Sequence, residues 1–75
     1  MDPLMLTGAM IKDGRSRLGW TAQQLASRAH VREATVKRAE RTSGEPLITL
    51  EHQRKIREAL GAAGIAFSTT AALMG

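Results

Sequence analysis

The strongest constraint on this chain is a change of helical phase inside one stretch, Trp20 to Arg41, WTAQQLASRAHVREATVKRAER. Thr21 is followed three residues on by Gln24. At that spacing a Thr hydroxyl caps a helix N-terminus while the Gln side chain reaches back to the cap's own N–H. Trp20 just before the cap and Leu25 one turn into the helix hold the two positions of a hydrophobic staple. Leu25, Ala26 and Ala29 then supply one inner face. That apolar phase does not run on into Val31, Val36 and Ala39, and a bend across residues 29–31 restores it. From Glu33 the pattern predicts a second helix. Val36, Ala39 and Glu40 face one way, and Glu33, Ala34, Lys37, Arg38 and Arg41 face largely the other. Two helices joined by so few residues make a helix-turn-helix, whose second helix can enter a DNA major groove.

Around this pair the rest of the chain reads as scaffold. Thr7 is a suitable cap for a first helix to about Leu18, with Met10, Ile11, Gly14 and Leu18 on one face. Residues 1–6 carry no helical pattern and are expected to form a loose N-terminal arm. Thr42-Ser43-Gly44-Glu45-Pro46 is a loop that ends the second helix of the motif. Thr49 would cap a further helix whose inward face is Leu50, Ile56, Ala59, Leu60 and Ala63. Its outer face would carry Glu51, Arg54, Lys55, Arg57 and Glu58, and Gly61 and Gly64 would weaken and stop it. The expected fold is all-α, a compact bundle of four to five short helices, with a short extended C-terminal segment at Ile65-Ala66-Phe67. Residues 7–67 form the domain and 68–75 a tail. Ile65 and Phe67 either fold back under the last helix or meet the same residues of a second chain, and the self-pairing contact is the favoured expectation.

Two charges interrupt the apolar stripes. Arg15 falls four residues after Ile11 and three before Leu18, and Glu40 falls four after Val36. A lone charge on an inner face needs a partner. The economical arrangement is an ion pair between them, with the alternative that both reach solvent at the stripe's edge.

With 75 residues there is room for one domain, near the size at which a single core is only just sufficient. One Trp, one Phe and no Tyr make that core aliphatic. The absence of Cys excludes a disulfide frame or a thiolate metal site, and it fits a reducing cytoplasm. MDPLMLTGAMIK lacks the pattern of a signal peptide, and no long apolar run suggests a membrane span. A cytoplasmic, nucleoid-associated location is the expectation. The formal net charge of +4 and a sequence pI near 10.8 favour a polyanionic partner. Charge is also concentrated: between Arg28 and Arg41, five cations (Arg28, Arg32, Lys37, Arg38, Arg41) oppose Glu33 and Glu40.

LGWTAQQLASRAHVREATVKRAER resembles the helix-turn-helix of the lambda-repressor-like, Cro/Xre-type transcriptional regulators. With ITLEHQRKIREALGAAGIAF downstream, the likeness extends over residues 7–67. It is carried by Leu18, Trp20, Leu25, Ala26, Val31, Ala34, Val36 and Glu40. It departs at His30, where the family usually has Gly, at Arg32, which replaces a Ser or Thr cap, and at Ala22, which replaces a Gln that commonly touches phosphate. The resemblance implies a recognition helix and operator binding as a two-fold homodimer. It also agrees with an Arg15–Glu40 pair, which such domains often hold at matching positions.

Major-groove readout uses Arg on the guanine O6/N7 edge, acids on cytosine N4 and small apolar groups on the thymine methyl. On the positions matched to the recognition helix, Arg32 and Arg38 suit guanine, Glu33 cytosine and Ala34 a thymine methyl, while Lys37 suits base or phosphate. The plainer alternative for each is a solvated helix face. Phosphate contacts are expected from Thr21, Gln23 and Gln24 at the start of the motif, and from Arg41, Thr42 and Ser43 beyond it. Lys12, Arg17 and Arg28 read as solubilising charges, with Arg28 also within reach of the backbone. Nothing suggests catalysis or a small-molecule substrate. His30 and His52 lack spaced partners for a metal, Ser27 near His30 has no acid behind it, and no Gly-rich phosphate loop precedes a helix. No cofactor is expected. The expected function is a sequence-specific regulator of transcription, most simply a repressor occluding a promoter. The competing readings are an activator that touches polymerase, and an antitoxin-like or anti-regulator module that grips another protein.

Overall fold

Thr7, Thr21 and Thr49 each stand one residue ahead of a helix in extended backbone, and each hydroxyl accepts a hydrogen bond from the N–H three residues on. The bonds run from Met10 N, Gln24 N and His52 N at 3.1, 3.1 and 3.2 Å. A threonine cap satisfies one of the orphan donors of the first turn, so it sets where a helix begins. The computed structural model describes residues 6–65. It contains four helices and, among the described residues, no strand: α1 Gly8–Leu18, α2 Ala22–Ala29, α3 Glu33–Glu40 and α4 Leu50–Ala62. The fold is therefore a small all-α bundle.

Helix ends are also locally encoded. At Gly19, at φ 71°, the Trp20 N–H donates to Arg15 O and the Gly19 N–H to Ser16 O. His30 repeats this at the end of α2, at φ 60° and ψ 41°, with Val31 N donating to Ala26 O at 3.0 Å and His30 N to Ser27 O at 3.3 Å. Gly64, at φ 107°, closes α4 with the same pair of bonds. These are Schellman closures, which need a left-handed residue. Among the described residues His30 is the only non-glycine in that region, so the bend bears a side chain where glycine would be unstrained.

The core is aliphatic. Leu6, Ile11, Leu25, Val36, Ile56 and Leu60 are fully buried, with Ala26, Ala29 and Ala39 between them. Each of these large side chains contributes about 1.5–3 kcal/mol on removal from water. Central α2 packs on α3 and α4, and α1 closes the other side of the same two helices. Around the core, Met10, Leu18, Trp20, Ala22, Val31, Ile48, Ala59 and Ile65 are partly covered.

Two expectations change here. Leu6, expected in a loose arm, is a core residue; residues 1–5 lie outside the described residues. Leu50, expected on the inner face of α4, is 78% exposed. Six residues separate it from Ile56, roughly one and two-thirds turns, so the two point about 120° apart around the helix. Ile48, just ahead of the cap, packs inward instead. Ile65 is partly covered by the core of its own chain, near Gly14. Phe67 and the tail fall outside the described residues.

Gly8 has a specific reason to be glycine. Its N–H donates to Gly44 O at 2.7 Å and the next N–H, of Ala9, to Ser43 O at 3.3 Å. The start of α1 is thus satisfied by the loop that follows α3. A Cβ on Gly8 would collide with the carbonyl oxygens of Thr42 and Ala39.

Candidate nucleic-acid interface

Helix α3 is held from behind. Val36 and Ala39 are buried to 0% exposure, and Glu40 receives two hydrogen bonds from Arg15 of α1. Arg15 Nε donates to Glu40 Oε2 at 2.8 Å and Nη2 to Oε1 at 2.9 Å, a two-pronged fit of guanidinium to carboxylate. The remaining prong, Nη1, donates to the carbonyl of Trp20 at 3.0 Å. One side chain therefore ties α1, the entrance to α2 and the end of α3 together. The pair is sheltered, with side chains 19% and 11% exposed. Donation to the Glu40 carboxylate raises the pKa of the Arg15 guanidinium above its ordinary value, outweighing the burial that lowers it. Arg15 stays charged at any working pH.

The opposite face is left to solvent. Arg32, Ala34, Lys37, Arg38 and Arg41 are exposed, and Glu33 is half-buried. Within this face the five expected base readers separate into two strips. Glu33 and Lys37 pair along the helix, Lys37 Nζ to Glu33 Oε2 at 3.3 Å. Arg32, Ala34 and Arg38 instead line a shallow groove, shared with Thr35, His30, Val31 and, from α4, His52. Arg38 and Thr35 also line the adjoining cleft with Leu47, Ile48, Thr49 and His52. Thr35 and His52 were not legible as site residues. Thr35 sits between the outer and inner faces of α3, and the place of His52 depends on how α4 docks.

Arg32 occupies the cap position of α3 in extended backbone and makes no side-chain cap bond. Its guanidinium has no acceptor to offer the first turn, which leaves it on the outer surface rather than folded onto the helix. Glu33 in that first turn supplies the negative charge that a helix N-terminus favours.

The residues expected on phosphates flank α3 on two sides. Thr21 and Gln24 complete a reciprocal capping box, the Thr21 N–H donating to Gln24 Oε1 at 2.8 Å, so both side chains are engaged with the backbone. Gln23 beside them is exposed. Beyond α3, Arg41 and Ser43 are exposed, and the Thr42 hydroxyl donates to Glu45 O at 2.9 Å to brace the loop. Two of the outlying cations are occupied elsewhere. Arg17 pairs with Asp13 at 2.9 Å, and Arg28 lies over the ring of Trp20, 4.7 Å from its centroid.

Among the described residues no three His, Asp or Glu side chains gather as a metal site, and no helix is long and apolar enough to cross a membrane. What the face can do chemically is offer guanidinium and ammonium donors, with a threonine hydroxyl, from one rigid helix backed by the core. No family model, curated protein or solved structure matches the chain.

Proposed function

We propose that this chain is a sequence-specific double-stranded DNA-binding regulator of transcription, a repressor that binds a two-fold operator as a homodimer and inserts α3 into the major groove. The observation that carries the reading is the division of α3. Its inner face is fixed by Val36, Ala39 and the Arg15–Glu40 pair, while its outer face presents Arg32, Lys37, Arg38 and Arg41. A reading helix needs both properties, because side chains that specify bases must be aimed from a support that does not yield. The resemblance of the Leu18–Arg41 segment to Cro/Xre-type regulators supports the same reading. Arg32 and Arg38 are the guanine readers, Ala34 and Thr35 contact the bases between them, and Arg41, Gln23 and Ser43 sit on phosphates.

The test is retention of genomic fragments by the purified chain, followed by sequencing. Recovered fragments should share an inverted repeat with half-sites about one helical turn apart, and retention should weaken steeply with salt, because added salt lowers the entropy gained when counterions leave the phosphates. No retained fragment at low salt would favour the second reading, a module that grips another protein. Leu47 and Leu50, both exposed near the start of α4, are the feature that favours that alternative.

A further inference from the structure

Both histidines of the chain line the groove beside α3, His30 from the bend and His52 from the first turn of α4, together with Arg32 and Arg38. The place of His52 is set by the Thr49 cap, whose hydroxyl accepts the His52 N–H at 3.2 Å. His30 carries its imidazole at φ 60° and ψ 41°, where glycine would close α2 without strain. A side chain held at such a position beside a candidate site points to a use for it. Neither imidazole makes a hydrogen bond or ion pair among the described residues, so both are open to a ligand.

Charge decides what the groove meets. Among the described residues no carboxylate lines it. Two that are close in sequence are paired: Glu33 with Lys37, and Glu51, next to His52, with Lys55 at 3.7 Å. His30 also borders a second groove with Arg28 of α2 and with Lys55 and Glu58 of α4. The charged groups around the two imidazoles are thus Arg28, Arg32, Arg38 and Lys55 against Glu58, with Glu51 held by Lys55. A phosphate entering between His30 and His52 meets no charge of its own sign on the groove's walls.

Helix size decides where phosphates pass. An α-helix with its side chains is about 10–12 Å across and a major groove about 12 Å wide, so an inserted helix has a phosphate strand along each flank. The flank of α3 toward α4 is the groove of His30 and His52. Arg32 and Arg38 reach out from α3 and its cap, whereas the histidines stand off the helix, on the side of the groove that the strand follows. Histidine is the side chain whose charge ordinarily changes between about pH 5 and 8. Protonated, it offers two N–H donors and a positive charge, and a phosphate beside it favours that form.

We infer, resting on the DNA-binding reading, that His30 and His52 hold the DNA backbone as imidazolium ions, taking up protons when phosphates fill the groove, so that acidification tightens operator binding. The sign follows from linkage. A group that holds its proton more firmly in the complex than in the free chain contributes fully at low pH, and its contribution is lost as pH rises through the value it has in the complex.

The experiment measures affinity for the selected inverted-repeat fragment from about pH 8 to about pH 5.5 at constant ionic strength. It compares the wild type with the double variant His30→Gly, His52→Gln and with His30→Gly alone. Glycine suits the left-handed bend and glutamine keeps a polar side chain on α4, and thermal unfolding should show that both variants fold. Wild-type affinity should rise at least about tenfold over the range. At the acid end its log–log salt slope should be steeper by about 0.9 for each phosphate met by an imidazolium. The double variant, which keeps the N-terminal amine and every other titrating group, should lose most of the gain and show one salt slope at both ends. His30→Gly alone should lose part of it. Wild-type affinity that does not change with pH overturns the inference, and so does a pH dependence that the double variant retains. If no fragment is retained at any pH, the two imidazole ring signals are titrated in sulfate and in chloride at equal ionic strength, sulfate being a phosphate-shaped anion. Midpoints raised by sulfate at both histidines would keep the anion groove while the regulator reading fails; midpoints left unmoved would remove both.

Discussion

Two ion pairs on α3 show how differently its two sides are used. Glu40 meets Arg15 through two hydrogen bonds of 2.8 and 2.9 Å in a sheltered site, with a third bond from the same guanidinium to Trp20 O. Glu33 meets Lys37 one turn along the same helix at 3.3 Å, with side chains 43% and 64% exposed. The first joins the end of α1, the entrance to α2 and the end of α3, and has no freedom to engage anything else. The second is a local, solvent-screened contact, worth at most a few tenths of a kcal/mol, that a ligand can displace. Stability is concentrated behind α3, and recognition chemistry is concentrated in front.

If that division is correct, changes behind the helix should cost stability, and changes in front should cost or alter binding. The largest effect is expected from Glu40→Ala. It strands the Arg15 guanidinium against Trp20 O and should destabilise by about 2–3 kcal/mol, short of the range for a fully buried pair because both side chains keep some solvent access. Urea denaturation measures it, and a loss under about 1 kcal/mol would put the two pairs on an equal footing.

Gly8→Ala should come next, at about 1–3 kcal/mol, because the added methyl group meets the backbone carbonyls of Ala39 and Thr42, which cannot rotate aside. Gly14→Ala is its control. There a Cβ meets Leu60 side-chain atoms at 3.4 Å, an ordinary contact, and the gain in helix propensity should leave the protein as stable or slightly more so.

Arg32→Ser sharpens the comparison by moving stability and binding in opposite directions. A serine at this position can cap α3, which has no side-chain cap, and should add about 0.5–1 kcal/mol to stability. The same change removes a guanidinium from the outer face and should weaken DNA retention. Glu33→Gln should have the smallest effect on unfolding, less than about 0.5 kcal/mol. It should strengthen retention on non-cognate DNA by removing a negative charge beside Lys37.

Much of the fold was legible because its signals are local and specific. The Thr21–Gln24 spacing reports a capping box, and both of its bonds are present. The phase break at His30 reports a bend, because on one continuous helix Val31 would fall off the stripe that Leu25, Ala29, Val36 and Ala39 share. Arg15 and Glu40 were legible as a pair since each is a charge standing where an apolar residue belongs. Leu6 was not: one residue ahead of a cap has no periodicity, and its burial follows from where the chain enters the bundle. Leu50 misled because the phase of α4 is set by Ile56 and Leu60, and an apolar residue at the helix start looks inward until the turn count is made. Gly8 carried no signal in one dimension. Its requirement is the approach of α1 to the loop after α3, a contact between segments more than thirty residues apart. The outer face of α3 was named from the sequence, but its split into a Glu33–Lys37 strip and an Arg38 strip beside Thr35 and His52 depends on α4.

The central claim is that the exposed side of α3 reads sequence, and Arg38 is its most direct probe, being exposed and lining both grooves beside the helix. Selection of genomic fragments by wild type and by Arg38→Ala, under the same salt, gives the decisive comparison. The account predicts that the variant folds normally and recovers fragments in which preference is relaxed at one base pair of each half-site, at a cost of about 1–3 kcal/mol in affinity. An unchanged consensus recovered by Arg38→Ala at unchanged affinity would contradict it.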